Sequence, residues 1–169
     1  MSDIEFRQAT AADAETLLAI YNPYVESSTV TFDLEPWTVA DMEHKLEAVA
    51  ALGMPFIVAE FEDDVVGYAY LSTWRDKCAY ETTMENTIYL REDARGLGIG
   101  GVLLDELCRE GAARGVREIV AVTADTTDAT PSVRLHERHG FERVGAMANV
   151  GRKFDRWIGV IMLQRTVGE

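Results

Sequence analysis

The sequence predicts an α+β, or mixed α/β, fold: about four helices flanking a single curved sheet of about seven strands, mostly antiparallel. Three observations lead there. Strand and helix patterns follow one another in the order β-α-α-β-β-β-α-β-α-β-β. The middle of that order, from Phe56 to Leu90, is a run of strand patterns separated by short polar turns, which antiparallel hairpins can join. The strand ending at Leu90 then runs through a glycine-rich corner into an apolar helix, which calls for a crossover to a parallel neighbour.

Each element has its own local cause. Ile4 to Gln8 alternate as a first strand. Thr10 and Asp13 form a capping-box pattern, and Leu17, Leu18, Tyr21, Tyr24 and Val25 then recur at helical spacing to about Glu26. Ser27 to Pro36 is a loop holding Phe32, and Trp37 follows it. Thr38 and Asp41 repeat the cap. Met42, Leu46 and Val49 face inward on a second helix, which Gly53 and Pro55 stop. Phe56 to Phe61 and Val65 to Thr73 read as a hairpin about a Glu62–Asp64 turn, with Gly67 marking a bulge or a close approach. After a polar loop at Trp74 to Cys78, Tyr80 to Leu90 is the next strand. The helix behind the glycine corner runs to about Arg114, where Gly115 ends it. Glu118 to Ala124 is apolar almost throughout, as expected of a strand covered on both faces. Pro131 suits the first turn of a short helix ending at Gly140. Phe141 to Ala148 and Trp157 to Arg165 are the last strands, joined by a C-terminal turn.

Length and composition narrow the class. A chain of 169 residues with 47% apolar content can bury a core, so one domain spanning 1–169 is expected. No run approaches the ~20 apolar residues that span a bilayer, and M-S-D-I-E-F lacks the basic and apolar regions of a signal peptide, which leaves the cytoplasm as the expected location. A net charge of −13 argues against nucleic acid or an anionic membrane as partner. Only Lys45, Lys77 and Lys153 are lysines among sixteen basic side chains. Cys78 and Cys108 are too few for a disulfide framework, Cys108 falls on an apolar helix face, and no metal is expected.

The chemistry gathers at residues 85–101. Backbone N–H groups at a helix start lack intrahelical partners and carry the positive end of the dipole, so this corner is a candidate pyrophosphate cradle. Gly96, Gly98 and Gly101 match the dinucleotide pattern G-x-G-x-x-G, but Arg91 to Arg95 separate them from the strand and the expected acidic residue falls only near Glu118. The absence of G-K-[ST] excludes a Walker loop. Glu85 sits just upstream, where a carboxylate can act on a second substrate.

Arg95-Gly96-Leu97-Gly98-Ile99-Gly100 matches the signature Q/R-x-x-G-x-G/A, and in this element order it resembles the GCN5-related N-acetyltransferase (GNAT) family. Y-N-P-Y-V at 21–25, T-F-D at 31–33, T-M-E-N-T-I-Y-L at 83–90, P-S-V-R-L-H-E at 131–137 and G-R-K-F-D-R-W at 151–157 look like its phosphinothricin/methionine sulfoximine acetyltransferase branch. That resemblance implies acetyl-CoA in a V between the strands at Leu90 and Glu118–Ala124. Its arm would pair with Ile88, Tyr89 and Leu90, and its pyrophosphate would lie on the amides of Arg95 to Gly101, with Asp128, Ser132 and His136 alongside. Asp128 or Ala129 stands where the family carries an asparagine, and an aspartate cannot donate as an amide does.

Catalysis would rest on Glu85 as general base, with His136 in place of a more usual tyrosine. The acceptor would be a small amino acid or analogue bound among Phe32, Trp74, Arg75, Lys77, Tyr80, Thr83, Glu85, Asn86 and Thr87. Asn149, Lys153 and Trp157, in the C-terminal turn, would approach the site of a second subunit, so a homodimer is implied. A nicotinamide-dependent oxidoreductase, a non-catalytic acyl-CoA sensor and a protein N-acetyltransferase are the rival readings. The antiparallel middle disfavours the first, and Glu85 disfavours the second.

Overall fold

The computed structural model describes residues 4–169. Seven strands form one sheet: β1 (Glu5–Gln8), β2 (Phe56–Phe61), β3 (Asp64–Thr73), β4 (Thr83–Leu90), β5 (Glu118–Ala124), β6 (Glu142–Lys153) and β7 (Arg156–Thr166), in the spatial order β1-β2-β3-β4-β5-β7-β6. Four α-helices accompany them: α1 (Ala14–Ser27), α2 (Val39–Ala51), α3 (Ile99–Ala113) and α4 (Thr130–Arg138). The predicted element order is the observed one, and every strand pair is antiparallel except β4–β5.

Local signals set the boundaries. Both capping boxes form: Asp13 accepts from the Thr10 amide at 2.7 Å, and Asp41 from the Thr38 amide at 2.8 Å. Gly98 caps α3 at φ 81° and Gly115 follows it at φ 86°, a region that costs glycine little. In the β2–β3 ladder Val66 is the extra residue between Val65 and Gly67, so Gly67 does mark a bulge.

Two expectations fail at strand ends. The strand predicted from Tyr80 starts at Thr83, because Cys78–Tyr80 is one 3₁₀ turn, closed by the Glu81 amide on the Cys78 carbonyl at 3.0 Å. The predicted C-terminal turn is mostly strand. β6 continues to Lys153 and pairs Arg152 with Trp157, leaving Phe154 and Asp155 as a two-residue turn at positive φ. The alternation breaks inside β6, where Ala148, Asn149 and Val150 bulge opposite Gly159 and Asn149 takes φ 56°. Asparagine tolerates that region better than most residues.

The sheet has a core on each face. Ile57, Ala69, Leu71, Met84 and Ile119 pack against Ile99, Leu103, Leu104, Leu107 and Cys108 of α3. On the opposite face Phe56, Val58, Tyr68 and Tyr70 meet Leu17, Tyr21, Val25, Met42 and Leu46 of α1 and α2. Alternation along β4 therefore sends Asn86, Ile88 and Leu90 toward α3 and α4, and Glu85, Thr87 and Tyr89 toward α1 and α2. Among the described residues no helix is long and apolar enough to cross a membrane.

The parallel pair governs the site. β4 and β5 match only over Thr83–Glu85 and Glu118–Val120, and then diverge. Residues 86–90 keep β3 on one side and lose β5 on the other.

Gly159 offers a stability test. A Cβ there would sit 2.6 Å from the Met147 carbonyl oxygen, a backbone atom that cannot turn aside. At Gly67 the short contact is 2.4 Å to a terminal Leu90 methyl, which can rotate. Gly159→Ala is expected to cost about 1–3 kcal/mol, and Gly67→Ala less, read as shifts in urea midpoint at constant m.

Candidate active site

The divergence of β4 from β5 opens a cavity of about 760 Å³. Glu85 to Leu90 form one wall, Ala121 to Ala124 another, and Pro131, Ser132, Leu135 and His136 of α4 line it beyond β5. Gly96, Gly98, Gly100 and Gly101 also line it, as do Arg95, Arg134 and Arg138. In a chain of net charge −13, three arginines around one cavity make a local site for an anion.

The glycine corner presents free donors. The Arg95 amide bonds to the Glu92 carbonyl at 3.3 Å and the Val102 amide to Gly98 at 3.5 Å. Between them the amides of Gly96 to Gly101 have no backbone acceptor among the described residues. This corrects the predicted cradle at one point, since the Arg95 amide is already engaged. The Arg95 guanidinium instead lies 4.8 Å from the centre of the Tyr24 ring, and its Nε donates to the Tyr24 hydroxyl at 3.1 Å. Leu97 is exposed and Ile99 is core, so neither side chain lines the cavity and only their amides are left free. Along β4 the Leu90 carbonyl accepts a hydrogen bond from the Tyr24 hydroxyl. Among the described residues no three His, Cys, Asp or Glu side chains converge as a metal site.

Glu85 lines the cavity from the α1–α2 face of β4. Burial raises its pKa above the ordinary 4.5, while Lys45 and Arg75 pull it back down. The floor around it is aromatic: Tyr21 meets Tyr89 edge-on at 5.0 Å, and Tyr70 stacks on Phe56 at 4.7 Å. Burial holds the Tyr70 phenol up at about 12, and raises those of Tyr21 and Tyr89 as well, so all three stay protonated.

His136 does not occupy the acid–base position expected of it. Its Nδ1 donates to the Ser132 carbonyl at 2.7 Å, which leaves Nε2 as the acceptor of the Asn86 side-chain amide at 2.9 Å. The ring is 2% exposed, and burial lowers its pKa below 6.5. It is a neutral ring with both nitrogens engaged, and its effect is to fix Asn86 on the cavity wall. The cause lies in the fold: β4 turns Asn86 toward α4, away from the face that carries Glu85.

Asp128 lines the cavity as expected, but its carboxylate is engaged within the protein. Its Oδ2 accepts from the Thr29 hydroxyl at 2.9 Å and the Thr29 amide at 3.2 Å. These bonds lower its pKa below 3.8. The carboxylate thus clasps the 28–33 loop to the segment before α4. Thr31 is held from two further directions. Its hydroxyl is 2.7 Å from that of Tyr21, and its carbonyl accepts from Lys153 Nζ at 3.0 Å. Tyr21 also donates to Asp33. Lys153 is 4% exposed, so the predicted acceptor ligand is instead a buried pin within its own subunit.

Of the predicted acceptor residues, Phe32, Glu85, Asn86 and Thr87 line the cavity, whereas Trp74, Arg75, Lys77, Tyr80, Thr83 and Asn149 do not. Arg75 nevertheless acts on Glu85 through its charge. Sequence reasoning does not single out Tyr24, Thr31, Asp33, Lys45, Arg134 or Arg138 as site residues. Arg134 and Arg138, four apart on a helix, carried a readable signal. Lys45 did not, being one cation on a solvated helix.

The chain matches the family model described as "Acetyltransferase (GNAT) family" over residues 15–141. It is 38% identical over 162 residues to the phosphinothricin N-acetyltransferase of Streptomyces viridochromogenes, covering 96% of this chain and 87% of that one. It is 36% identical over 159 residues to the L-methionine sulfoximine/L-methionine sulfone acetyltransferase of Pseudomonas paraeruginosa, covering 94% and 91%. A crystal structure of a GNAT superfamily phosphinothricin acetyltransferase from Sinorhizobium meliloti in complex with acetyl-CoA superposes with a TM-score of 0.93 at 36% identity, over 100% of this chain and 90% of that one.

The state of His136 is open to a direct check. A folded pKa below 6.5 means that its stabilising contribution is full above 6.5 and is lost as pH falls through the lower folded value. Ring ¹⁵N shifts of His136 are expected to keep the neutral Nδ1–H form as pH passes down through 6.5. The urea midpoint is expected to decline below that pH, and less steeply in His136→Gln.

Proposed function

The chain belongs to the acetyltransferase (GNAT) family and uses acetyl-CoA as co-substrate, and from that premise we propose that it acetylates the amino group of a small amino acid or analogue in the cytoplasm. The acceptors we infer are of the phosphinothricin, methionine sulfoximine or methionine sulfone type, from the names of its relatives. The observation that carries the reading is that Glu85 lines the same cavity as the unpaired edge of β4 and the glycine corner.

The residues suit that co-substrate. Free amides from Gly96 to Gly101, with Arg95, Arg134 and Arg138, match a pyrophosphate, and residues 86–90 offer a strand edge to a chain of amides. Bound there, acetyl-CoA supplies an acetyl group activated as a thioester. The amine must attack as neutral nitrogen. An α-amino group has a reference pKa of about 8, so a fraction is neutral near pH 7. As the C–N bond forms and the C–S bond breaks, one proton leaves the nitrogen, and Glu85 takes it, directly or through a water. A thiol of pKa about 8.5 leaves as thiolate and takes its proton from solvent, so His136 need not donate. His136 acts by holding Asn86 at 2.9 Å.

We also propose a homodimer. The β6–β7 hairpin exposes Val144, Met147, Val150, Phe154 and Trp157, and Trp157 is 65% exposed. A row of large apolar side chains on an outer hairpin is an interaction surface by default.

Two experiments test these readings. Thiol release from acetyl-CoA is measured with phosphinothricin, methionine sulfone and a panel of amino acids. Glu85→Gln is expected to lower kcat/KM about 10²–10⁴-fold with acetyl-CoA binding retained. Because burial raises the Glu85 pKa, wild-type activity falls on the acid side at a pH above 4.5, and the variant loses that limb. Unchanged turnover in Glu85→Gln removes it as the base. In sedimentation velocity the wild type is expected at twice the chain mass of 18.8 kDa, and Trp157→Glu at the chain mass.

A further inference from the structure

The α1–α2 face of the sheet holds a second cation beside Glu85 that the mechanism above does not use. Lys45 lies in the second turn of α2, and its ammonium is 5.9 Å from the Trp37 ring centre and 5.8 Å from that of Tyr70. Both rings are fixed by the fold. Trp37 is tied to α1 by its amide on Asn22 Oδ1 at 2.9 Å and its carbonyl on Asn22 Nδ2 at 3.0 Å. Tyr70 is 7% exposed and stacked on Phe56. Tyr70 pairs with Thr87 and Ser72 with Glu85, so Tyr70 is a diagonal neighbour of Glu85 on one face of the sheet. The ammonium over Tyr70 therefore stands above the same patch of sheet as the carboxylate.

Lys45 makes no hydrogen bond or ion pair among the described residues, in a chain carrying 29 acidic side chains. Lys153 differs, because its ammonium is buried and bonded to the Thr31 carbonyl. Aromatic faces hold a cation in place without satisfying its N–H donors, so all three of those on Lys45 stay available. Arg75 lies in the loop that follows β3, over the Trp74 ring at 5.1 Å and likewise without an ion pair among the described residues. Neither cation lines the cavity itself, yet the charge of each reaches Glu85, so two cations with donors to spare stand near one carboxylate.

We propose that Lys45 is a specificity-determining residue of the acceptor pocket, where its ammonium, fixed by Trp37 and Tyr70, takes an anionic group at the end of the acceptor's side chain while Arg75 takes the α-carboxylate. This rests on the small amino-acid acceptor proposed above and narrows it to acceptors with an anionic tail. The charge pattern carries the assignment. One carboxylate with two cations near it is the complement of one ammonium with two anions near it, which describes an amino acid whose tail is a phosphinate or carboxylate. A zwitterion with a neutral tail would leave one cation unpaired.

The test uses the full-length enzyme, acetyl-CoA and two acceptors that differ in tail charge: phosphinothricin, with an anionic phosphinate, and methionine sulfone, which is neutral there. Lys45→Met keeps the aliphatic stem and removes the charge. It is expected to lower kcat/KM for phosphinothricin about 10–100-fold, chiefly through KM, the range of a lost hydrogen bond to a charged group. Assayed at a pH above the acid limb, where Glu85 is ionised with or without the Lys45 charge, methionine sulfone should change less than about twofold, and Lys45→Arg should keep most of the activity on phosphinothricin. An equal loss on both acceptors, or no loss on either, overturns the Lys45 assignment and leaves the amino-acid reading standing. A wild-type enzyme that acetylates the sulfone but not phosphinothricin also overturns it. A wild type that acetylates neither overturns both.

Discussion

The short parallel ladder between β4 and β5 is the constraint on which the rest of the site depends. Three residue pairs hold the two halves of the sheet together before the strands part. A longer ladder would fill the edge of residues 86–90 with β5 and close the cavity. No ladder at all would leave the β1–β4 half without a covalently distant neighbour to fix its angle. The glycine corner inherits its place from the same geometry, because the crossover helix must start where β4 ends. Its unpaired amides, the anion-binding end of the helix and the open strand edge are consequences of one divergence.

The two banks of that divergence are bridged by the 28–33 loop. Asp128 and Thr126 hold Thr29, Lys153 and Tyr21 hold Thr31, and the Phe32 ring packs where a Cβ on Gly151 would be. A buried lysine whose hydrogen bond goes to a backbone carbonyl is an expensive device, since burial disfavours its charge. It gives a loop without regular structure a defined position at the cavity, which Thr31 and Phe32 line. The acidic surface sharpens the contrast with the cleft, which three arginines line and where the charges of Lys45 and Arg75 act on Glu85.

Much of the fold was legible because its signals are local. The capping boxes at Thr10 and Thr38, the glycine stops and the strand periods each depend on residues a few positions apart. The errors lie where a local pattern met a longer-range one. Tyr80 has a strand-like side chain, yet the single 3₁₀ turn at Cys78–Tyr80 removes it from β4. The bulge of residues 148–150 hid the continuity of β6, because alternation cannot be followed through three residues that face one. At the site, Glu85 and the glycine corner were visible as one stretch of chain. His136 and Asp128 do line the cavity, but their hydrogen-bond partners, like that of Lys153, lie far away in sequence and no local pattern names them.

From sequence alone came the order of elements, the faces they bury, the amides that a glycine-rich helix start leaves free and a carboxylate upstream of them. All follow from covalent neighbours and from the periods of helix and strand. Tertiary structure alone decided what each polar group does. Asn86 meets His136 across 50 residues, Thr29 meets Asp128 across 99 and Lys153 reaches Thr31 across 122. A donor or acceptor is defined by what completes it, and no spacing along the chain records which distant segment the packed sheet will bring within 3 Å.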